Sequence, residues 1–161
     1  MMATRAGDTD AAIVPYLAQR LQCTPDAVIE LLNKRSGLLG VSGCSSDLRE
    51  LLAHPADAAR FAVELYCYRV RKYVGAYLAV LGGCDALLFG GGVGEHMPEI
   101  RARILEPLRW LGIELDAAAN AAARGQECRI SSAASRIAVQ VIPVAEERAL
   151  AEAALECAAS R

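Results

Sequence analysis

The sequence predicts an α/β fold with parallel strand pairing, and three features point to it. Two short aliphatic runs, Asp85–Phe89 and Ile137–Ile142, have the length of buried strands and end at glycine or proline. Helical periodicity fills the chain between and around them, as a crossover between parallel strands requires. The composition is that of a packed domain: 54% of the 161 residues are hydrophobic and 22% charged, which excludes disordered and fibrous chains. Aromatic residues make up only 5%, so aliphatic side chains and alanine must fill the core.

Taken in order, a polar opening leads to a helix over 11–20 with Asp10 as its cap. A second helix covers 24–35, where Thr24 caps and Pro25 takes the first helical position. Glycines at 37, 40 and 43 predict a loop or short strand over 36–43. A short helix follows Ser45 or Ser46. The next helix is long, about 55–81, with Val63, Tyr66, Val70, Val74, Tyr77 and Leu81 forming a stripe at three- and four-residue steps. Gly82-Gly83 end it and the first strand follows. Residues 90–94 read as a glycine loop, and helices over 97–110 and 116–124 come next. Pro143 ends the second strand, and a last helix starts near Ala145. With no repeat, linker or low-complexity tract, residues 1–161 read as a single domain.

Charge and cysteine usage narrow the function. A net charge of −2 gives no footprint for nucleic acid. The one basic cluster, Arg69, Arg71 and Lys72, lies in the long helix and reads as a solvated or ion-paired face. The six cysteines stand far apart with no C-x-x-C pair, so a cysteine metal site is not expected. No signal peptide and no apolar run of membrane-spanning length is present, and reduced cysteines fit a cytoplasmic protein.

Four segments carry residues suited to chemistry. Gly90 to His96 follow a buried strand, where glycines allow close approach to a ligand and a helix start favours phosphate. The spacing fits neither a dinucleotide fingerprint nor a P-loop, and a tight strand-to-helix turn explains the same glycines. In Ser45-Ser46-Asp47-Leu48-Arg49, Asp47 suits ribose hydroxyls and Arg49 suits a base or phosphate, while helix capping is the competing reading. Arg5, in a glycine-containing loop, can clamp a phosphoryl or carboxylate group, or simply be solvated. Glu146 and Glu147 at a helix start suit either Mg²⁺ with phosphate oxygens or the helix dipole. His54 and His96 are the only histidines, and no hydrolase constellation surrounds them.

Together these segments resemble, in the same order, the motifs of the acetate kinase family, which includes propionate kinases. Met2 to Asp8 is similar to M-G-T-R-S-G-D, and Leu32 to Gly43 to L-N-K-x-S-G-L-L-G-[IV]-S-G. Ser45 to Arg49 resembles S-S-D-x-R, and Tyr68 to Tyr77 resembles Y-R-[IV]-x-K-Y-I-G-A-Y. Phe89 to His96 resembles F-T-G-G-I-G-E-N, and Ile142 to Glu147 resembles I-P-T-N-E-E. The chain departs from the pattern at Ala6, Gly90, His96, Val144 and Ala145.

The resemblance implies the C-terminal half of a sugar-kinase/Hsp70/actin-like (ribonuclease H-like) ATPase fold. It implies ATP- and Mg²⁺-dependent phosphorylation of acetate or propionate to the acyl phosphate. Arg5 would stabilise the transferring phosphoryl group; Asp47, Leu48 and Arg49 would line the adenosine pocket; Gly92, Val93, Gly94, Glu95 and His96 would hold the nucleotide; Glu146 would help bind Mg²⁺. It also implies a homodimer formed through this domain, with the 55–81 helix as a candidate surface. The family's N-terminal domain, with its other catalytic groups, is expected to be absent from these residues. Catalysis by the 161 residues alone is therefore expected to be incomplete, and a nucleotide-binding or dimerisation module without catalysis is the alternative.

Overall fold

In the computed structural model, which describes residues 1–159 with the side chains of 146–149, 152 and 159 outside the described set, the chain forms two compact units, Met1–Ala76 and Tyr77–Arg161. The first is helical: α1 (Ile13–Leu21), α2 (Pro25–Lys34), α3 (Gly37–Ser42), α4 (Leu48–Ala53) and most of α5 (Asp57–Leu81). Thr24 caps α2 by accepting from the Ala27 amide at 3.3 Å, with Pro25 at the first helical position as the sequence predicts. Ala12, rather than Asp10, is the cap residue of α1; the Asp10 carboxylate accepts from the Ala12 amide at 2.7 Å, closing a turn ahead of the helix. Val28, Leu38, Leu48, Leu51, Ala59, Ala62, Val63 and Cys67 form the core. Burying a large aliphatic side chain contributes about 1.5–3 kcal/mol.

Residues 36–43 form helix α3, not the loop or strand their glycines predict. Gly37 and Gly40 serve close approach instead. Segment 2–6 lies against the α2–α3 junction, where Leu38 donates to the Met2 carbonyl at 2.9 Å, Ser36 to Thr4 at 2.8 Å, and Ala6 to Leu32 at 2.8 Å. Gly37 has a φ of +60°, and a Cβ there would overlap the Met2 carbonyl oxygen and stand 2.8 Å from that of Arg5. At Gly40 a Cβ would meet the Arg35 carbonyl oxygen at 2.7 Å.

Along the α5 stripe burial fades: Val63 is buried, and Tyr66, Val70 and Val74 are half-buried. Tyr77, Val80 and Leu81 are 63%, 82% and 69% exposed, so the periodicity over 74–81 marks an uncovered face. The basic cluster on this helix is paired in part: Arg69 binds Asp8 at 2.6 Å, and the Lys72 ammonium lies 5.9 Å from the Tyr68 ring centre.

The second unit is built on a three-stranded sheet in the order β1-β3-β2, from β1 (Ala86–Phe89), β2 (Cys128–Arg129) and β3 (Ala138–Val141). β1 and β3 are parallel, with Ala86 opposite Ala138 and Phe89 opposite Val141, as the two apolar runs predict. The short antiparallel β2 has no hydrophobic run of its own and goes unannounced in the sequence. Between β1 and β2 lie α6 (Gly91–His96), α7 (Pro98–Leu105), a 3₁₀ turn (Glu106–Leu111) and α8 (Ala117–Ala122). The expected helix over 97–110 is thus split. Pro107 lacks an amide donor and crowds the preceding turn, and the chain tightens to 3₁₀ geometry there. Helix α9 (Glu146–Ala159) follows β3. Ile100, Ile104, Leu105, Ile113, Ile130, Val139 and Val141 form this unit's core.

A cation lies in that core. Arg101 is 0% exposed, and all five of its donors are used. Nε donates to the Asn120 side-chain oxygen at 2.8 Å, one terminal nitrogen to the Gly94 and Glu95 carbonyls at 2.8 and 3.1 Å, and the other to Asn120 and Ala123 carbonyls at 2.7 and 2.9 Å. These are carbonyls at the C-terminal ends of α6 and α8, which carry partial negative charge. Burial pulls the Arg101 pKa below the ordinary arginine value.

Replacing Gly37 by alanine is expected to cost more than about 2 kcal/mol in chemical denaturation, while Gly43→Ala costs about 1 kcal/mol. Both have positive φ, but a Cβ at Gly43 meets nothing within 4 Å. Equal costs would show that the close approach at Gly37 is relieved elsewhere. Arg101→Leu is expected to destabilise by roughly 3–5 kcal/mol, since it strands several buried carbonyls. A urea midpoint unchanged from the parent chain would contradict the arrangement described for Arg101.

Candidate functional site

The predicted site residues fall in both units: Arg5 and residues 47–49 in the first, residues 92–96 and 146 in the second. Arg5 sits on the 2–6 segment held by the α2–α3 junction. Its side chain is exposed and has no hydrogen bond or ion pair among the described residues. The loop is tied to α5 further along: Asp8 accepts from Arg69 at 2.6 Å and from the Tyr73 hydroxyl. The Tyr73 bond, aided by the Arg69 charge, holds the Asp8 carboxyl below its ordinary range.

Asp47, rather than Ser45 or Ser46, is the N-cap of α4. Its carboxylate accepts from the Arg49 amide at 2.7 Å and from the Arg49 guanidinium, Nε at 3.0 Å and a terminal nitrogen at 2.5 Å. Capping and ligand binding are therefore not exclusive readings. The cap fixes the carboxylate, and the carboxylate fixes a guanidinium that is 80% exposed, with its planar face free to lie against a base. Ser45 supports the turn, its hydroxyl accepting from the Asp47 amide at 3.0 Å. Leu48 points the other way: at 4% exposure its side chain belongs to the core.

The predicted glycine loop is itself helical, forming α6, because Gly91 at φ +70° turns the chain straight from β1 into a helix. Two of its glycines permit close packing. A Cβ on Gly90 would meet the Val144 side chain at 2.6 Å, and one on Gly94 would meet Phe89 at 3.2 Å. Gly92 faces open space, where nothing lies within 4 Å of a Cβ, and Val93 is half-buried. Glu95 is turned inward. At 8% exposure, its Oε1 accepts from the amides of Gly91 and Val144, both at 2.9 Å. His96 is exposed, with its ring against Gly125 and its Nε2 3.9 Å from Glu95 Oε2. Glu146 begins α9 just past this corner, and its side chain lies outside the described residues.

No cluster of three metal-ligating side chains occurs among the described residues. All six cysteines are free. Among the described residues no helix is long and apolar enough to cross a membrane. An open hollow of about 470 Å³ beside the Arg5 loop is lined by Asp8, Arg35, Gly40 and Arg69 but by none of the predicted site residues.

Arg101 and Glu95's inward role escape sequence reasoning, because charged residues are normally exposed. The one local signal for Arg101 is its place on the apolar side of α7, between Ile100 and Ile104.

The Asp47–Arg49 pair is open to direct measurement. Hydrogen bonds from the Arg49 side chain and amide, with its charge, lower the Asp47 pKa from 3.8 to about 2. The carboxyl is depressed in the fold, so its contribution to stability is present above pH 3.8 and lost as pH falls through about 2. Carbon-detected NMR titration should place the Asp47 midpoint well below 3.8, and Arg49→Ala should move it upward. A midpoint unmoved by that substitution would show that the guanidinium is not held there in solution.

Comparison with known proteins bears on family and fold. The Acetokinase family pattern matches residues 1–152. The acetate kinase of Solibacter usitatus is 45% identical over 161 residues, which is 98% of this chain and 39% of that protein. A crystal structure of Porphyromonas gingivalis acetate kinase superimposes with a TM-score of 0.86 at 40% identity, covering 97% of this chain and 40% of that one. A propionate kinase structure from Francisella tularensis subsp. tularensis gives 0.81 at 36% identity, covering 91% and 38%. The chain thus spans about 39% of the length of the curated relatives it matches. Its mixed α/β fold is that of the C-terminal part of a sugar-kinase/Hsp70/actin-like ATPase, as the motifs imply. By sequence and by fold, the chain belongs to the acetokinase family.

Proposed function

We propose that residues 1–161 serve as the C-terminal nucleotide-binding domain of a cytoplasmic acetate kinase-type phosphotransferase. The reaction is ATP-dependent phosphorylation of acetate, or propionate, to the acyl phosphate. The observation that carries this reading is family membership over residues 1–152, together with unspent polar groups at the motif positions. The Arg5 guanidinium has no partner among the described residues, and a planar fork of donors suits a transferring phosphoryl group. Arg49, held at its edge by Asp47, offers its face to the adenine, and Asp47, whose two oxygens each accept two bonds from Arg49, acts by fixing that guanidinium. Gly92 leaves space for close approach, and His96 stands where the family pattern has asparagine, with ring nitrogens able to hydrogen-bond. Mg²⁺, when bound with the nucleotide, would neutralise phosphate charge, and Glu146 is the proposed protein ligand.

The 161 residues match about 39% of a relative's length, so the groups named here are one share of the chemistry. ATP binding by these residues without turnover is the second reading. Isothermal titration of the 161-residue chain with MgATP is expected to give measurable binding that Arg49→Ala weakens by about tenfold. No heat at millimolar MgATP would sink the nucleotide reading. In a coupled acetate/ATP assay, steady turnover by the 161 residues would overturn the partial-site view.

We also propose homodimerisation through the exposed second half of α5, where Tyr73, Tyr77, Val80 and Leu81 present apolar surface. Light scattering should report a dimer for the parent chain and a monomer for Val80→Asp/Leu81→Asp. A parent chain that is monomeric at every concentration tested would exclude this surface.

A further inference from the structure

From the contacts of its carboxylate, we infer that Glu95 is a positioning residue: it pins the glycine turn to the β3–α9 corner, so that the nucleotide-facing and metal-facing segments are set as one piece. The inference rests on the nucleotide reading above for its functional meaning, and on geometry alone for the pin itself. β1 and β3 run parallel and side by side, so both chain exits leave the same sheet edge, after Phe89 and after Val141. Neither exit can complete its own hydrogen bonding. The Gly91 amide opens a helix and has no intrahelical acceptor. The Val144 amide lies in the stretch between Val141 and Glu146, outside strand and helix alike. One buried oxygen, Glu95 Oε1, satisfies both at 2.9 Å.

The surroundings leave little freedom for another arrangement. Gly90 has no Cβ, and a Cβ there would collide with Val144 at 2.6 Å and approach the Ile142 carbonyl at 3.2 Å, so the two exits touch. From behind, Arg101 holds the Glu95 carbonyl at 3.1 Å, fixing the residue's backbone. An acceptor committed to two amides and only 8% exposed does not serve as a ligand to phosphate, whose oxygens are acceptors themselves. Glu146, two residues beyond Val144, inherits its position from this pin.

Glu95→Gln and Glu95→Ala separate positioning from ligation. Glutamine keeps an oxygen for both amides; alanine removes it. Amide hydrogen exchange by ¹⁵N NMR is expected to show Gly91 and Val144 protected in the parent chain and in Glu95→Gln, and about tenfold faster in Glu95→Ala. MgATP affinity by titration is expected to follow the same order, retained in Glu95→Gln and lowered about tenfold in Glu95→Ala. Unprotected Gly91 and Val144 amides in the parent chain would overturn the pin, whatever the fate of Glu95→Ala. Loss of MgATP affinity in Glu95→Gln as large as in Glu95→Ala would overturn it too, by making the charge itself a ligand. Should the parent chain bind no MgATP, the nucleotide reading fails, and amide exchange still decides for or against the pin.

Discussion

The Arg101 guanidinium lies without exposed surface among five oxygen acceptors, and the second unit is arranged around that fact. A buried cation normally needs an anion. Here the compensation comes from carbonyls where α6 and α8 end, together with the Asn120 amide oxygen, which Asn120 can offer because its own nitrogen is engaged with the Pro98 carbonyl at 2.9 Å. A lysine, with three donors on one point, could not span acceptors spread over both helix ends. α6 has only six residues and makes few bonds of its own, so its geometry depends on what holds its C-terminus. The orientation of Gly92 to His96 is therefore set from inside the core.

The same economy of short elements appears in the first unit, where the Arg5 segment has no regular structure. It is fastened by backbone bonds to the α2–α3 junction and by Asp8 to Arg69 and Tyr73 of α5. Residues suited to a mobile polyanion stand on pieces too short to be stable alone, each held by a neighbouring element. Fixing a guanidinium or a glycine turn before the ligand arrives lowers the entropic cost of binding.

Much of the fold was legible because it rests on local rules. Thr24-Pro25 is a helix start by chemistry alone, and the runs at 85–89 and 137–142 do pair in parallel. β1, however, is buried only at Phe89 and leaves Leu88 57% exposed, short of the buried strand its apolar run predicts. The misreadings share one cause. Glycines at 37, 40, 90, 91 and 94 look like breakers in the sequence, whereas at 37 and 90 the missing Cβ admits a carbonyl or side chain from elsewhere in the fold. That demand arises from tertiary neighbours, which no local window contains. The motif order singled out candidate site residues, but not that Leu48 and Glu95 would face inward while Arg49 and His96 face out.

The contact between His96 and Gly125 sets two demands on one position far along the chain. A Cβ on residue 125 would lie 2.7 Å from the imidazole Cε1, and the backbone there has a φ of +65°. A chain carrying a shorter asparagine at 96 is freed from the steric demand and retains only the conformational one, which asparagine itself tolerates. Backbone conformation is therefore the firmer of the two demands at 125, because the exposed His96 ring can turn aside whereas the φ cannot.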